Sequence, residues 1–298
     1  MSELAYRCSI ASAAREEPLL GTASTYRRFL LVEFPGPWGV EALRDSRMPP
    51  EAARALRLRA RPLGIRVALI RRHGRSRASE TMRVFAAHAH HRRPWLETAD
   101  LAGPHELAGL DLDALSGGRS LGLEPWSAPL FLTCTHGRHD VCCAERGRPL
   151  VTALASRRPD AVWECSHLGG DRFAGNVLVL PHGLYYGRLD PEAAARMAVW
   201  HHEGRLDLEH LRGRSGYPFA VQAAEIFLRR QAGLDGVDDL EFVRTTAADG
   251  VHATRFAAAG REWDVVVGRG QATPQRLTCS ALGESPIPTH SLVSIEPA

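Results

Sequence analysis

Metal-binding and thiol side chains are concentrated in one short part of this chain, and this limits what the chain can fold into. Four of the six cysteines lie between Cys134 and Cys165, and His167 and Asp171 follow with two glycines between them. Thiolate and imidazole groups suit zinc, copper and iron–sulfur clusters rather than magnesium or calcium. Glycine lets a backbone bend closely around a bound group. The sequence therefore predicts a metal site or a thiol-based site in this region.

Charge and hydropathy are those of an ordinary globular protein. The formal net charge of +3 over 298 residues is small, so composition does not indicate nucleic-acid binding. The N-terminus contains no apolar core of signal-peptide length, and no apolar run reaches the roughly 18 residues of a membrane span. We expect a cytoplasmic protein that does not bind membranes. In that compartment clustered cysteines are metal ligands or redox-active thiols more often than disulfides.

The order of predicted elements in the second half places the site residues at strand ends. A strand over 129–134 ends on Cys134, and a strand over 161–165 precedes the glycine-rich loop that contains His167. The other predicted elements are a helix over 143–158, strands over 177–180 and 184–187, and a helix over 191–202. This is the order of a thioredoxin-like fold whose middle helix is replaced by a loop. Open α/β sheets place their sites at the C-terminal ends of parallel strands, where we expect Cys134 and His167.

The first half predicts a second α/β layer. Its elements are a strand over 29–33, a helix over 49–58, and strands over 65–70 and 82–87. A Gly- and Leu-rich stretch over 103–125 reads as a connector, and short alternating strands follow residue 239. We predict an α/β protein with two thioredoxin-like (ferredoxin-type) layers and a small β-rich C-terminal module. The predicted domains are a scaffold over 1–125, a site-bearing domain over 126–235 and the module over 236–298.

The adjacent cysteines Cys142 and Cys143 cannot both point into one site from a regular helix. A helix that begins here places the Cys143 thiolate near a helix N-terminus, where the dipole favours the anion and helps it bind a metal. We therefore expect Cys142 to turn into the core. Cys8 and Cys279 lie far away in the sequence without any motif around them, so we expect both to be lone thiols.

Three motifs resemble the sucrase/ferredoxin-like proteins, which are thioredoxin-like [2Fe–2S] ferredoxins related to the fungal actin-patches-distal proteins. They are Cys-Thr-His-Gly…Cys-Cys over 134–143, Ser-His…Gly-Gly-Asp-Arg-Phe-Ala-Gly-Asn over 166–176, and Pro-His-Gly…Tyr-Tyr-Gly-Arg over 181–188. In the fungal proteins two cysteines and two histidines bind the cluster. The resemblance implies Cys134, Cys143, His167 and the residue at position 171 as ligands.

The fourth ligand departs from the fungal pattern, because residue 171 is Asp instead of His. Asp171 can bind iron as a harder oxygen donor, and it is the ligand we predict. Cys165 is the alternative, and the cluster can also be labile or absent in this branch. We expect a layer of groups around the ligands that adjusts the reduction potential of the site, formed by His136, His139, Cys165 and Arg172.

The resemblance implies a [2Fe–2S] electron carrier that exchanges electrons with unknown redox donor and acceptor proteins. Whether it is an enzyme stays open, and no carboxylate pair supports a hydrolase. One alternative is a thiol–disulfide oxidoreductase that uses Cys142 and Cys143 or Cys134 and Cys143, which the absence of Cys-x-x-Cys weakens. The other is a binding module stabilised by zinc. A cluster absorbs visible light, whereas zinc and thiols do not.

Overall fold

Two β-sheets and seven α-helices form the part of the chain that the computed structural model describes, which is residues 6–74 and 80–298. The elements of the first half are α1 (Cys8–Ala14), β1 (Arg28–Glu33), α2 (Ala42–Asp45), α3 (Pro50–Ala60), β2 (Ile65–Arg71), β3 (Met82–His88), β4 (Trp95–Leu101), a 3-10 helix (Pro104–Gly109), α4 (Leu112–Ser116) and β5 (Glu124–Pro125). None of the helices in these described ranges is long and apolar enough to cross a membrane.

The second half begins with the strand that carries the first site cysteine. Its elements are β6 (Leu130–Cys134), α5 (Val141–Ala155), β7 (Val162–Cys165), a 3-10 turn (Asp171–Phe173), β8 (Val177–Leu180), β9 (Leu184–Tyr186), α6 (Pro191–His202), β10 (Leu211–Arg214), α7 (Phe219–Ala232), β11 (Glu241–Ala248), β12 (Val251–Ala258), β13 (Arg261–Gln275) and β14 (Ser285–Pro297). The predicted strands and helices are confirmed within a few residues at their ends. The sequence patterns missed α1, α2, β4 and β10, and the predicted connector over 103–125 contains a 3-10 helix, α4 and β5.

The two halves repeat one strand arrangement. The order is β2-β1-β3-β4 in the first half and β7-β6-β8-β9 in the second. In each half the first pair is parallel and the next two pairs are antiparallel. A strand–helix–strand unit followed by a hairpin explains this order, because the right-handed crossover returns the chain beside its first strand.

The repeated units join into one ten-stranded sheet, which differs from the expectation of two separate layers. Strands β2 and β7 pair antiparallel, with Ile70 opposite Cys165 and Arg71 opposite Glu164. Arg71 Nη2 donates to Glu164 Oε2 at 2.6 Å, and the carboxylate is 7% exposed. A buried carboxylate needs such a partner, and joining the sheets removes two open edges. The predicted boundaries after residues 125 and 235 stay predictions.

The centre of the sheet is covered on both faces. Strand β1 is buried from Phe29 to Val32. Alternate residues of it enter two different cores, with Phe29 and Leu31 on one face and Leu30 and Val32 on the other. A near-continuous apolar run is typical of strands that are buried on both faces.

The β-rich C-terminal module is confirmed as a four-stranded antiparallel sheet in the order β11-β12-β13-β14. Its inward residues Phe256, Val265 and Val267 share one core with Val221 and Ile226 of α7. The expected α/β class with a separate C-terminal sheet is therefore present.

Candidate metal centre

Strand β6 and helix α5 bring the first two candidate ligands together. Cys134 is the last residue of β6, and Cys143 lies in the first turn of α5. Asp140 caps this helix, and its Oδ1 accepts from the backbone N–H of Cys142 at 2.9 Å. Further along the helix, a Cβ on Gly147 would overlap the carbonyl oxygen of Cys134. Glycine at this position therefore allows the helix to lie against the strand end.

A glycine turn after β7 carries the other two candidate ligands. Gly169 and Gly170 have φ of +97° and +80°, a conformation that favours glycine. Asn176 Nδ2 donates to the carbonyl of Gly170 at 2.8 Å. The buried Arg212 donates to the carbonyl of Gly169 and to Asn176 Oδ1, each at 2.9 Å. The turn therefore places His167 and Asp171 on a loop that buried polar groups hold in shape.

The four predicted ligands lie in one small volume. Ligand atoms of Cys134, Cys143 and His167 are within 4.8 Å of one another. Asp171 Oδ1 lies 2.9 Å from His167 Nδ1 and accepts from the Cys143 thiol at 3.1 Å. Cys134, Cys143 and Asp171 are only 2%, 1% and 5% exposed. The structure thus groups two buried thiols and a buried carboxylate with an imidazole that is 24% exposed.

Neighbouring charges within this group set its protonation. The hydrogen bond from the Cys143 thiol holds the pKa of Cys134 well below its usual range, although burial opposes this. Burial also disfavours the charged imidazolium, but the Asp171 carboxylate and the Cys134 sulfur raise the pKa of His167 to about 9. Burial alone would raise the pKa of Asp171, and the His167 imidazolium outweighs it and lowers that pKa. These shifts favour the anionic forms of Cys134 and Asp171, whereas the hydrogen bond to Cys134 raises the pKa of Cys143 above its usual range.

Cys165 lies beside the group and is not part of it. It pairs in parallel register with Cys134, so both side chains leave the sheet on the same face. Burial raises the pKa of Cys165 well above its usual range. Among the described residues, its sulfur does not join the close donor groups that contain Cys134 or Asp171. The geometry therefore favours Asp171 over Cys165 as the fourth donor.

Two histidines of the loop between β6 and α5 lie beside the donor group. His136 Nε2 donates to the carbonyl of Gly39 at 2.8 Å, and its Nδ1 accepts from the backbone N–H of His167 at 3.2 Å. His139 stacks on His167 with ring centroids 3.8 Å apart, and its Nε2 lies 3.8 Å from Asp171 Oδ2. His136 thus orients the ligand loop against the first half of the chain, and His139 covers His167.

Arg172 is directed away from the donor group. Its Nε donates to Glu17 Oε1 at 2.6 Å, and its guanidinium lies 4.4 Å from the centre of the Phe173 ring. Glu17 is 4% exposed and also accepts from Ser12 Oγ at 2.9 Å. Arg172 therefore attaches the 3-10 turn that begins at Asp171 to the N-terminal segment.

The structure corrects the expectation that Cys8 and Cys279 are lone thiols. Both lie against Cys142, with 3.3 Å between the sulfurs of Cys142 and Cys279 and 3.5 Å between those of Cys279 and Cys8. Cys142 is turned away from Cys143, as expected, but it faces this second group of thiols. No sequence pattern indicated this second group of thiols, because Cys8, Cys142 and Cys279 are more than a hundred residues apart in the chain.

The first donor group fits a soft metal or cluster. Its thiolates and imidazole are ligands for zinc and iron–sulfur clusters. His167 Nδ1 lies 2.9 Å from Asp171 Oδ1, so this carboxylate orients the imidazole ring. The residues present could therefore hold a metal.

Comparison with known proteins gives one match. A family model described as sucrase/ferredoxin-like matches residues 19–213, about two thirds of the chain, and this range includes all four candidate ligands. No curated protein and no solved structure matches the chain.

Proposed function

The chain belongs to the sucrase/ferredoxin-like family, and from this premise and its buried donor group we propose that it is a [2Fe–2S] electron-transfer protein. Cys134 and Cys143 would supply two thiolates, His167 an imidazole and Asp171 a carboxylate. A cluster bound there would supply one-electron chemistry. The single observation that supports this most strongly is the convergence of these four side chains, three of them buried, at the ends of β6 and β7.

The residues of the site would set how readily an electron is accepted. Asp171 adds a negative charge where the fungal pattern has a neutral imidazole, which favours the oxidised state and lowers the potential. The ring nitrogen of His167 that does not bind metal can exchange a proton when the electron arrives, and Asp171 stabilises the protonated ring. Electron uptake would therefore depend on pH.

The exposed side of the site is the place where partner redox proteins would dock. The side chains of His139 and His167 are 25% and 24% exposed, which makes them the route from the site to solvent. A cleft beside them is lined by Arg44, Arg57 and Arg66, and Glu41 is the acidic residue among its described lining residues. A surface with this charge attracts acidic partners. We therefore propose electron donors and acceptors with acidic docking faces.

A zinc-stabilised module is the second candidate, and one observation favours it. Three donors within 4.8 Å of one another suit a single ion, and zinc accepts two thiolates, one imidazole and one carboxylate in a tetrahedron. Such a site would stabilise the junction of β6, α5 and the glycine turn. It would carry no electrons, because zinc has no redox chemistry.

Visible absorption separates the two candidates. Protein purified without oxygen should be coloured and contain about two iron and two acid-labile sulfide ions per chain. Cys134→Ser and Cys143→Ser should remove colour and iron, whereas the matched control Cys165→Ala should keep both. Colourless protein with one bound zinc would establish the second candidate instead. Full iron retention in Cys143→Ser would contradict the ligand assignment.

A further inference from the structure

The second group of thiols lies on the opposite side of the first turn of α5. It brings together Cys8 of α1, Cys142 of α5 and Cys279 of the loop between β13 and β14. Cys8 and Cys142 have no exposed surface, and Cys279 is partly exposed. Only Cys142 lies within the range of the family match, so this group depends on segments that the match does not cover.

We propose that Cys8, Cys142 and Cys279, with Asp140, form a second metal site, which binds a zinc ion. Zinc binds sulfur at about 2.3 Å, so sulfurs around a tetrahedral ion lie about 3.8 Å apart. The sulfur separations of 3.3 and 3.5 Å are close to this spacing. A disulfide would need about 2.05 Å, and three thiols cannot all be paired by one disulfide.

Asp140 completes the donor set. Its two carboxylate oxygens lie 3.7 and 3.6 Å from the Cys8 sulfur. One oxygen accepts from the backbone N–H of Cys142 at 2.9 Å, and the other accepts from that of Cys279 at 2.7 Å. These bonds fix the carboxylate toward the thiols. The second lone pair of each oxygen accepts from the Cys8 thiol and would be available to a metal once that thiol is deprotonated. The group is thus a preformed set of three sulfurs and one oxygen within 4.8 Å of one another.

A backbone hydrogen bond and a helix terminus lie beside two of the three sulfurs. The backbone N–H of Cys8 donates to the Cys279 sulfur at 3.4 Å. Cys142 lies in the first turn of the 15-residue helix α5, where the helix dipole favours negative charge. Backbone donors to metal-bound sulfur are a common outer layer of thiolate sites.

A metal ion bound here would link three segments that are distant in the sequence. Helix α1 has seven residues and is too short to be stable alone. Residues 276–284 form no helix or strand. Zinc bound to their cysteines would hold both segments against α5, directly beside the Cys143 turn of the first site. We infer that the second ion stabilises the first turn of α5, which positions Cys143.

Zinc binding to the full-length protein tests the proposal. The Cys134→Ser variant serves as background, because it disables the first site and leaves the second intact. Zinc titrated against a chromogenic chelator should bind this background at one ion per chain. Adding Cys279→Ser or Cys8→Ser should weaken binding more than tenfold, and Asp140→Asn, which keeps the helix cap, should weaken it less. The matched control Ser280→Ala changes an exposed neighbour of Cys279 and should have no effect.

Two results would overturn the second site. One is equal zinc affinity in the Cys279→Ser and Ser280→Ala variants, with circular dichroism showing both folded. The other is a Cys142–Cys279 disulfide, found by mass spectrometry, in zinc-free protein that was purified without oxygen. Neither result bears on the first site, whose colour and iron content are measured in the chain with Cys134 intact.

Discussion

At the scale of single residues, the unusual feature of the first site is the carboxylate at position 171. Asp171 lies within 3.1 Å of both the Cys143 sulfur and the His167 ring. Oxygen donors match iron–sulfur clusters less well than sulfur, so a cluster held in this way should be more fragile than one held by four thiolates. The anionic charge should also lower its potential.

Substitutions at position 171 test this role. Asp171→His should keep the cluster and raise its potential by roughly 100 mV or more, because a neutral imidazole replaces an anion. Asp171→Ala should speed cluster loss, and Cys165→Ala should change neither property. Potentials come from a spectroscopic redox titration, and cluster loss from the decay of visible absorbance. A bleached Cys165→Ala protein with an unchanged Asp171→Ala protein would identify Cys165 as the fourth ligand.

At the scale of elements, the site depends on the close approach of α5 to the end of β6. The sequence pattern predicted both elements, but their packing distance depends on Gly147. A methyl group there would overlap the Cys134 carbonyl. Backbone atoms cannot move aside as the end of a flexible side chain can, so the helix itself would have to shift.

Gly147→Ala should therefore separate α5 from β6. We expect a loss of roughly 1–3 kcal/mol in the free energy of unfolding, as for other overpacked cores, together with reduced iron content. Urea denaturation and iron analysis measure the two effects. The matched control is Gly109→Ala, where an added Cβ meets no atom within 4 Å. Unchanged iron content and stability in Gly147→Ala would show that the helix tolerates the shift.

At the scale of the whole molecule, the continuous sheet places charged residues of the first half beside the site of the second. Strands β2 and β7 are neighbours, so Arg57 of α3 and Arg66 of β2 line the cleft next to His139 and His167. Arg66 Nη2 donates to the carbonyl of His167. The first half is thus both a scaffold for the site and part of its surface.

Charge reversal in this cleft should slow the arrival of an anionic electron donor. Arg57→Glu should lower the rate of reduction by dithionite, an anion, several-fold at low salt, and the difference from wild type should shrink as salt rises. Stopped-flow absorbance measures the rate. Arg54 is exposed on the same helix and does not line the cleft, so Arg54→Glu is the control. Equal slowing in both variants would indicate a general charge effect.

The sequence by itself determined most of the local elements and the residue types of the first site. Apolar runs such as Phe29–Val32 marked central strands, and the spacing of glycine, cysteine and histidine marked the ligand loops, because these signals act over a few residues. Weaker patterns failed at β4, β10 and α1. In β4 the buried Glu97 and Thr98 break the apolar alternation. In α1 helix formation depends on packing more than on propensity.

Only the tertiary structure decided which distant residues meet. Pairing of β2 with β7 merged two expected layers into one sheet. The turn after β7 placed Asp171 in contact with Cys143 and His167. The tertiary structure also brought Cys8, Cys142 and Cys279 together and paired Arg172 with Glu17. Such contacts depend on strand register and on chain segments far apart in sequence. No local pattern of residue types encodes them.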